Sequence, residues 1–115
     1  VILKKEYRIK KNTEIQNIIH NRVTVGNSYF IIYYMKIHDH NNFRYALSVP
    51  KKYGNAVKRN KIKRQIRDIV SKIGVVGNVD IFIVVKPAAN DMSYQEIRTN
   101  VSTLINKLLK RGEKQ

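Results

Sequence analysis

His38, Asp39 and His40 stand side by side, the tightest group of proton-transferring or metal-ligating side chains in the sequence. Neighbours on a strand point to opposite faces, so the three cannot converge on one ion. Two histidines without a third positioned ligand also make a weak zinc site. His20 falls at the end of an expected helix, where the last carbonyls favour a cation. The eight acids are thinly spread, with no close pair of the kind a metal-dependent nuclease uses. Asp80 precedes an apolar run, and Asp91 precedes the last helix as a turn or cap residue. GNAVKRN lacks the GK[ST] ending of a phosphate-binding loop. The chain has no cysteine, so disulfides and thiolate metal sites are excluded. No catalytic residue and no metal site is expected in the protein itself.

The basic residues are different. KKYGNAVKRNKIKRQIR, residues 51–67, holds eight lysines and arginines and no acid, and supplies +8 of a net charge of +15. A field of that strength favours a polyanion and bears on association rather than on fold. Nucleic acid and an anionic membrane surface are the two partners it admits.

Elements must hold these cations in place. Length and composition suit one domain with one core: 115 residues, 43% hydrophobic and 27% charged. The first eleven residues read as a basic arm folded onto the domain. Thr13 and Gln16 have capping-box spacing, with Ile15, Ile18 and Ile19 giving a short helix to about His20. Ser28 to His38 is dense in β-branched and aromatic residues and reads as a strand, with room for another near Val23 to Val25. Asp39 to Asn42 supply turn residues. In FRYALSV, Phe43, Tyr45, Leu47 and Val49 face one way, and Arg44, Ala46 and Ser48 the other. Strand, turn and strand are therefore expected to form an antiparallel hairpin closed by Pro50.

Gly74 to Asn78 breaks the chain. VDIFIVVK is apolar almost throughout, as expected of a strand covered on both faces, and Pro87 ends it. Ser93 to Glu96 is a full capping box. Ile97, Val101, Leu104, Ile105, Leu108 and Leu109 then trace a stripe on a helix to about Lys110. The expected class is α+β, in the order α-β-β-(β)-α-β-α: a single sheet of about four strands with helices packed on it.

On the basic helix, Ile62, Ile66, Ile69 and Ile73 fall on one narrow stripe with Val70 at its margin. Lys63, Arg67, Asn60, Arg64 and Lys61 occupy the opposite arc, with Arg59 at its edge. Asn55 is the expected N-cap, and Gly54 permits a sharp entry. Lys58 and Arg59 sit in the first turn, where the helix dipole disfavours cations and an external anion would compensate them. Charged helix faces usually mix signs. This one does not, so a nucleic-acid surface is preferred to a solvated face.

GNAVKRNKIKRQIRD resembles the signature of the protein subunit of bacterial ribonuclease P, a pattern close to GNAVxRNRIKRxIRE. RIKKNTEIQ, SVPKK and VVKPAA resemble further family segments in the right order, so the likeness covers most of the chain. Lys61 departs from the arginine of the RNR triplet. Ile15 and Ile19 stand where phenylalanines are usual, and Pro50 where Ser or Thr is usual. The resemblance implies one RNA-binding domain over residues 1–115 and a left-handed β-α-β crossover through the basic helix. It implies an endoribonuclease in which a catalytic RNA, with Mg²⁺ bound mainly by that RNA, removes the 5′ leader of precursor tRNA. The protein would assist by binding ribonuclease P RNA through Arg59, Asn60, Lys61, Lys63, Arg64 and Arg67. Leader-cleft residues carried over are Ile15, Ile19, Tyr33, Ser48, Lys51 and Lys86.

The alternative is a non-catalytic RNA-binding module of ribosomal-protein type with a similar α+β fold. A DNA-binding helix-turn-helix is disfavoured because strands flank the basic helix. A membrane-surface helix would have to withdraw its isoleucine stripe from the core. No apolar run approaches the roughly 20 residues of a membrane span, and VILKKEYRIKK has too short an apolar stretch for a secretory signal. No membrane and no obligate protein partner is expected, and cytoplasm is the expected compartment.

Overall fold

The computed structural model describes residues 8–36, 43–73 and 79–113. Its elements run α1 (Asn12–His20), β1 (Val23–Gly26), β2 (Phe30–Lys36), β3 (Arg44–Ser48), α2 (Ala56–Ile73), β4 (Val79–Val85) and α3 (Tyr94–Glu113). Short 3-10 turns at Lys51–Tyr53 and Pro87–Asp91 lead into α2 and α3. The expected turn at Asp39 to Asn42, the break at Gly74 to Asn78 and the start of the arm lie outside the described residues.

The sheet has the order β1-β2-β4-β3. β4 lies antiparallel to β2 and parallel to β3. The expected β2–β3 hairpin therefore does not form, because β4 is inserted between the two strands. The physical reason lies in β4 itself, where six of seven residues are buried. A strand apolar on both faces is stable with partners on both edges and layers above and below. β3 is short and carries Arg44 and Ser48, which suits it to the outside. Its free edge is met by the arm, where the Ile9 N–H donates to the Tyr45 carbonyl at 2.8 Å.

Register divides the sheet into two faces. Tyr34, Ile81 and Tyr45 form one rung of the first face, and Ile32, Ile83 and Leu47 the next. This face packs against the buried sides of α2 and α3, including Ile66, Ile69, Val101 and Ile105. The second face carries the rungs Met35–Asp80–Arg44, Tyr33–Phe82–Ala46 and Ile31–Val84–Ser48. There Ile9, Ile18, Ala46 and Phe82 form a smaller core with Ile15 and Ile19 of α1 beside it. The alternation expected in β3 holds, but both of its faces are covered in part.

β2 begins at Phe30 rather than Ser28, because the Asn27 Oδ1 accepts the Tyr29 and Phe30 amides at 2.8 and 3.0 Å and turns the chain. The Thr13–Gln16 capping box is absent as well. α1 starts two residues earlier than a Thr13 cap would allow, after Lys11, with no side-chain cap. Glu14 of its first turn instead reaches Arg44 Nη2 at 2.6 Å. The α3 capping box forms as expected: the Ser93 N–H donates to Glu96 Oε1 at 3.1 Å, and the Glu96 N–H to Ser93 Oγ at 3.2 Å.

Candidate nucleic-acid interface

α2 is anchored before it can display anything. Ile62, Ile66, Ile69 and Val70 are buried and Ile73 is packed at the rim of the core. At its start, Asn55 Oδ1 accepts the Lys58 N–H at 3.0 Å, the expected N-cap. Gly54 is extended rather than sharply bent. Its lack of a side chain makes room for Lys58 instead, since a Cβ there would lie 3.0 Å from the Lys58 Cδ. The Gly54 carbonyl also accepts Arg59 Nε at 3.1 Å, which ties that guanidinium to the helix entry.

Asn60, Lys63, Arg64 and Arg67 line one open groove of about 540 Å³, together with Val57. Lys61 belongs to the other flank of α2, where it lines a pocket of about 290 Å³ with Lys58, Gln65 and Tyr94. The six carried-over residues thus divide into a groove of four, one cation on the α3 side, and Arg59 held at the entry. Among the described residues, none of these five cations makes an ion pair. Asp68, the acid on the same helix, is turned toward α3. It accepts the Tyr94 hydroxyl at 2.5 Å and Lys72 Nζ at 3.1 Å, partners that hold its carboxyl below the usual range. The charge of the face is left for an external partner.

Sequence reasoning missed Val57, which is 75% exposed in the middle of these cations. An apolar residue in the first turn of a helix reads as a core contact until the helix's rotation is known.

The second face of the sheet gathers four of the other set, Ile15, Ile19, Tyr33 and Ser48, but not the two lysines. Ile15, Ile19 and Tyr33 all pack around the α1-side core, and the Tyr33 ring stacks on Phe82 with centroids 5.9 Å apart. Ser48 lies one rung further along, half-buried and level with Val84 and Ile31. Lys51 is exposed in the turn after β3. Lys86 is less available than expected of a solvated lysine, because its Nζ donates to the Asn27 carbonyl at 2.7 Å.

Arg44 fastens α1 over this face. Its guanidinium donates to both carboxylate oxygens of buried Asp80, at 3.0 and 2.8 Å, and to Glu14 at 2.6 Å. The Asp80 hydrogen bond is the main cause raising the Arg44 pKa, so the guanidinium stays charged. An acid expected merely to precede a strand is the hub that positions α1.

Fold and faces together define a small α+β protein with one cationic helix face and a separate sheet face partly covered by α1. Residues 3–109 match the family model described as Ribonuclease P, and the chain belongs to that family. It is 39% identical over 108 residues to the ribonuclease P protein component of Phytoplasma australiense, covering 92% of this chain and 94% of that one. The Staphylococcus epidermidis component is 39% identical over 105 residues, 90% of each chain. The solved structure of Staphylococcus aureus RNase P protein aligns with a TM-score of 0.80 at 37% identity, over 87% of this chain and 93% of that one. The Thermotoga maritima protein, at 21% identity and a TM-score of 0.76, shares the fold over 87% of this chain and 96% of that one. Membership makes the chain a protein component of ribonuclease P, the RNA-binding part of a tRNA-processing endoribonuclease. That assignment replaces the ribosomal-type alternative.

Proposed function

We propose that the chain works as a single RNA-binding domain that grips ribonuclease P RNA with α2 and guides the 5′ leader of precursor tRNA along the α1 face of the sheet. Arg59, Asn60, Lys61, Lys63, Arg64 and Arg67 form the RNA-binding set. The observation that carries this is a row of cations on a helix anchored by its isoleucines, with no acid of the described chain neutralising them. Each phosphate that such a face neutralises releases counterion, which supplies affinity and makes it depend on salt.

Ile15, Ile19, Tyr33, Ser48, Lys51 and Lys86 form the leader cleft. Tyr33 suits a splayed base, since an aromatic ring on a strand can stack one. Ile15 and Ile19 offer apolar walls but no stacking surface, which concentrates that role on Tyr33. Lys51, exposed in the turn after β3, offers a cation for leader phosphates, while Lys86 stiffens the Asn27 turn.

The reaction is hydrolysis of the phosphodiester that joins leader to tRNA, leaving the mature 5′ end. Among the described residues no group of three His, Cys, Asp or Glu side chains is placed to hold a metal ion. Asp80 and Glu14 are committed to Arg44. By resemblance to the family, Mg²⁺ belongs mainly to the RNA subunit, which carries the chemistry, and this chain supplies binding and orientation. No helix among the described residues is long and apolar enough to cross a membrane, and cytoplasmic placement belongs to the same proposal.

Reconstitution tests it. The protein added to a bacterial ribonuclease P RNA at low Mg²⁺ should restore cleavage of leader-bearing precursor tRNA, and the complex should bind that substrate more tightly than leaderless tRNA. Cleavage by the purified protein without RNA, contaminating nuclease excluded, would overturn the division of labour. Equal affinity with and without a leader would remove the cleft assignment.

A further inference from the structure

Among the described residues two large apolar side chains are exposed, Val57 and Tyr29. Val57 belongs to the cationic groove of α2. Tyr29 lies far from that groove in the fold's order, in the turn before β2, and is 37% exposed. A single exposed ring is ordinary on a protein surface. The surface that this one extends is not.

The β2–β4 ladder runs one pair beyond Phe30 and Val85, because the Lys86 N–H donates to the Tyr29 carbonyl at 2.8 Å. Side chains alternate along such a ladder. Phe30, Ile32 and Tyr34 are buried on the side of α2 and α3, so Tyr29 falls on the other side with Ile31 and Tyr33. α1 is fastened toward the opposite end of that face, by Glu14 to Arg44 and by Asn21 Nδ2 to the Tyr34 carbonyl at 2.9 Å. Toward Tyr29 the face opens, and Ile31, Val84 and Ser48 are only partly buried. β3 runs parallel to β4 and β2 antiparallel to it, which puts the start of β2 and the end of β3 at one end of the sheet. Exposed Lys51 is therefore at the same end as Tyr29.

The two tyrosines of this face differ in what they have left to offer. The Tyr33 ring already stacks on Phe82, which takes one of its sides. Tyr29 pairs with no ring or cation among the described residues. Four residues of extended chain separate them, about 13 Å at about 3.3 Å per residue. Two rings sandwiching one base would be about 7 Å apart, twice the spacing of about 3.4 Å along a stacked strand. The rings are suited to different bases.

We propose, resting on the leader reading above, that Tyr29 is a second base-stacking position for the 5′ leader, holding a base further along the strand than the one on Tyr33. Every base has a π-face, so the contact lengthens the leader footprint without selecting sequence. Ile31, level with Val84 and Ser48, floors the stretch of leader between the two rings. Lys51 places a cation at the same end, and a ring with a nearby cation is the combination that single-strand sites use.

The protein reconstituted with ribonuclease P RNA is titrated with precursor tRNAs whose leader carries one abasic nucleotide, moved position by position. The wild type should show two sensitive positions. Tyr29→Ala should weaken binding of the intact precursor about tenfold, the loss expected for one base–aromatic stack, and erase the sensitivity at one position. Tyr33→Ala should erase it at the other. Tyr29→Phe keeps the ring and should behave as wild type. Stacking releases no counterion, so Tyr29→Ala should leave the slope of log affinity against log salt unchanged. Its affinity for leaderless tRNA and its melting temperature should also match the wild type, since the side chain is exposed.

Tyr29→Ala with unchanged affinity and both sensitive positions intact would overturn the second stack and leave the leader reading standing. A loss in Tyr29→Phe as large as in Tyr29→Ala would overturn it as well, because the hydroxyl and not the ring would then be the contact. Self-association of the free protein that Tyr29→Ala abolishes, with leader affinity unchanged, would assign the ring to a protein contact and overturn its assignment to RNA. Equal affinity of the wild type for leader-bearing and leaderless tRNA would instead strike the leader reading itself, and this stack with it.

Discussion

Side chains of one type do different work on α2. Arg59 is tied to the Gly54 carbonyl and Arg67 is half-buried beside the arm, whereas Arg64 is exposed in the groove with no ion pair among the described residues. Arg64 therefore gives the cleanest separation of binding from folding. Arg64→Ala should lower the salt slope of RNA affinity by about one, with a change in stability of no more than about 0.5 kcal/mol, as for other surface positions. A filter-binding titration at several salt concentrations and a urea melt check the two halves. Asp80 is the opposite case, an acid whose carboxylate is used up inside the protein by Arg44.

At the scale of elements, α2 is a rod with two unlike sides and α1 is a clasp. Ile66 is fully buried on the core side of α2. Ile66→Ala should cost roughly 2–5 kcal/mol through lost burial and a residual cavity, measured by denaturant unfolding. RNA binding by the fraction that remains folded should keep its salt slope. α1 depends on the link from Glu14 through Arg44 to Asp80. Arg44→Met removes the cation from a pair whose acid is 1% exposed, and losing one partner of such a pair costs about 3 kcal/mol. Because the same link fixes α1, this variant should also reduce the preference for leader-bearing over leaderless precursor tRNA, read as a ratio of affinities of the reconstituted complex.

The whole molecule carries +15 with a sequence pI near 10.2. Such a charge repels itself in the folded state and attracts RNA, and salt screens both effects. Raising sodium chloride from about 50 to about 200 mM should therefore raise the melting temperature of the free protein while weakening RNA binding steeply. The two responses have opposite signs from one cause. A melting temperature that falls with salt would mean that internal ion pairs outweigh the self-repulsion.

Features set by nearest neighbours were legible from residue order. The isoleucine stripe of α2, the Ser93–Glu96 box and the alternation of Phe43, Tyr45 and Leu47 against Arg44, Ala46 and Ser48 all follow from helical or pleated periodicity. So did the segregation of cations from apolar residues, and with it the cationic face of α2. Strand order was not legible in the same way, because pairing β2 with β4 instead of β3 is decided by what each strand buries on two faces and two edges at once. Nor was the choice of Glu14 between a helix cap and Arg44. Those contacts join residues far apart along the chain, and their energies exist only after the sheet has brought them together.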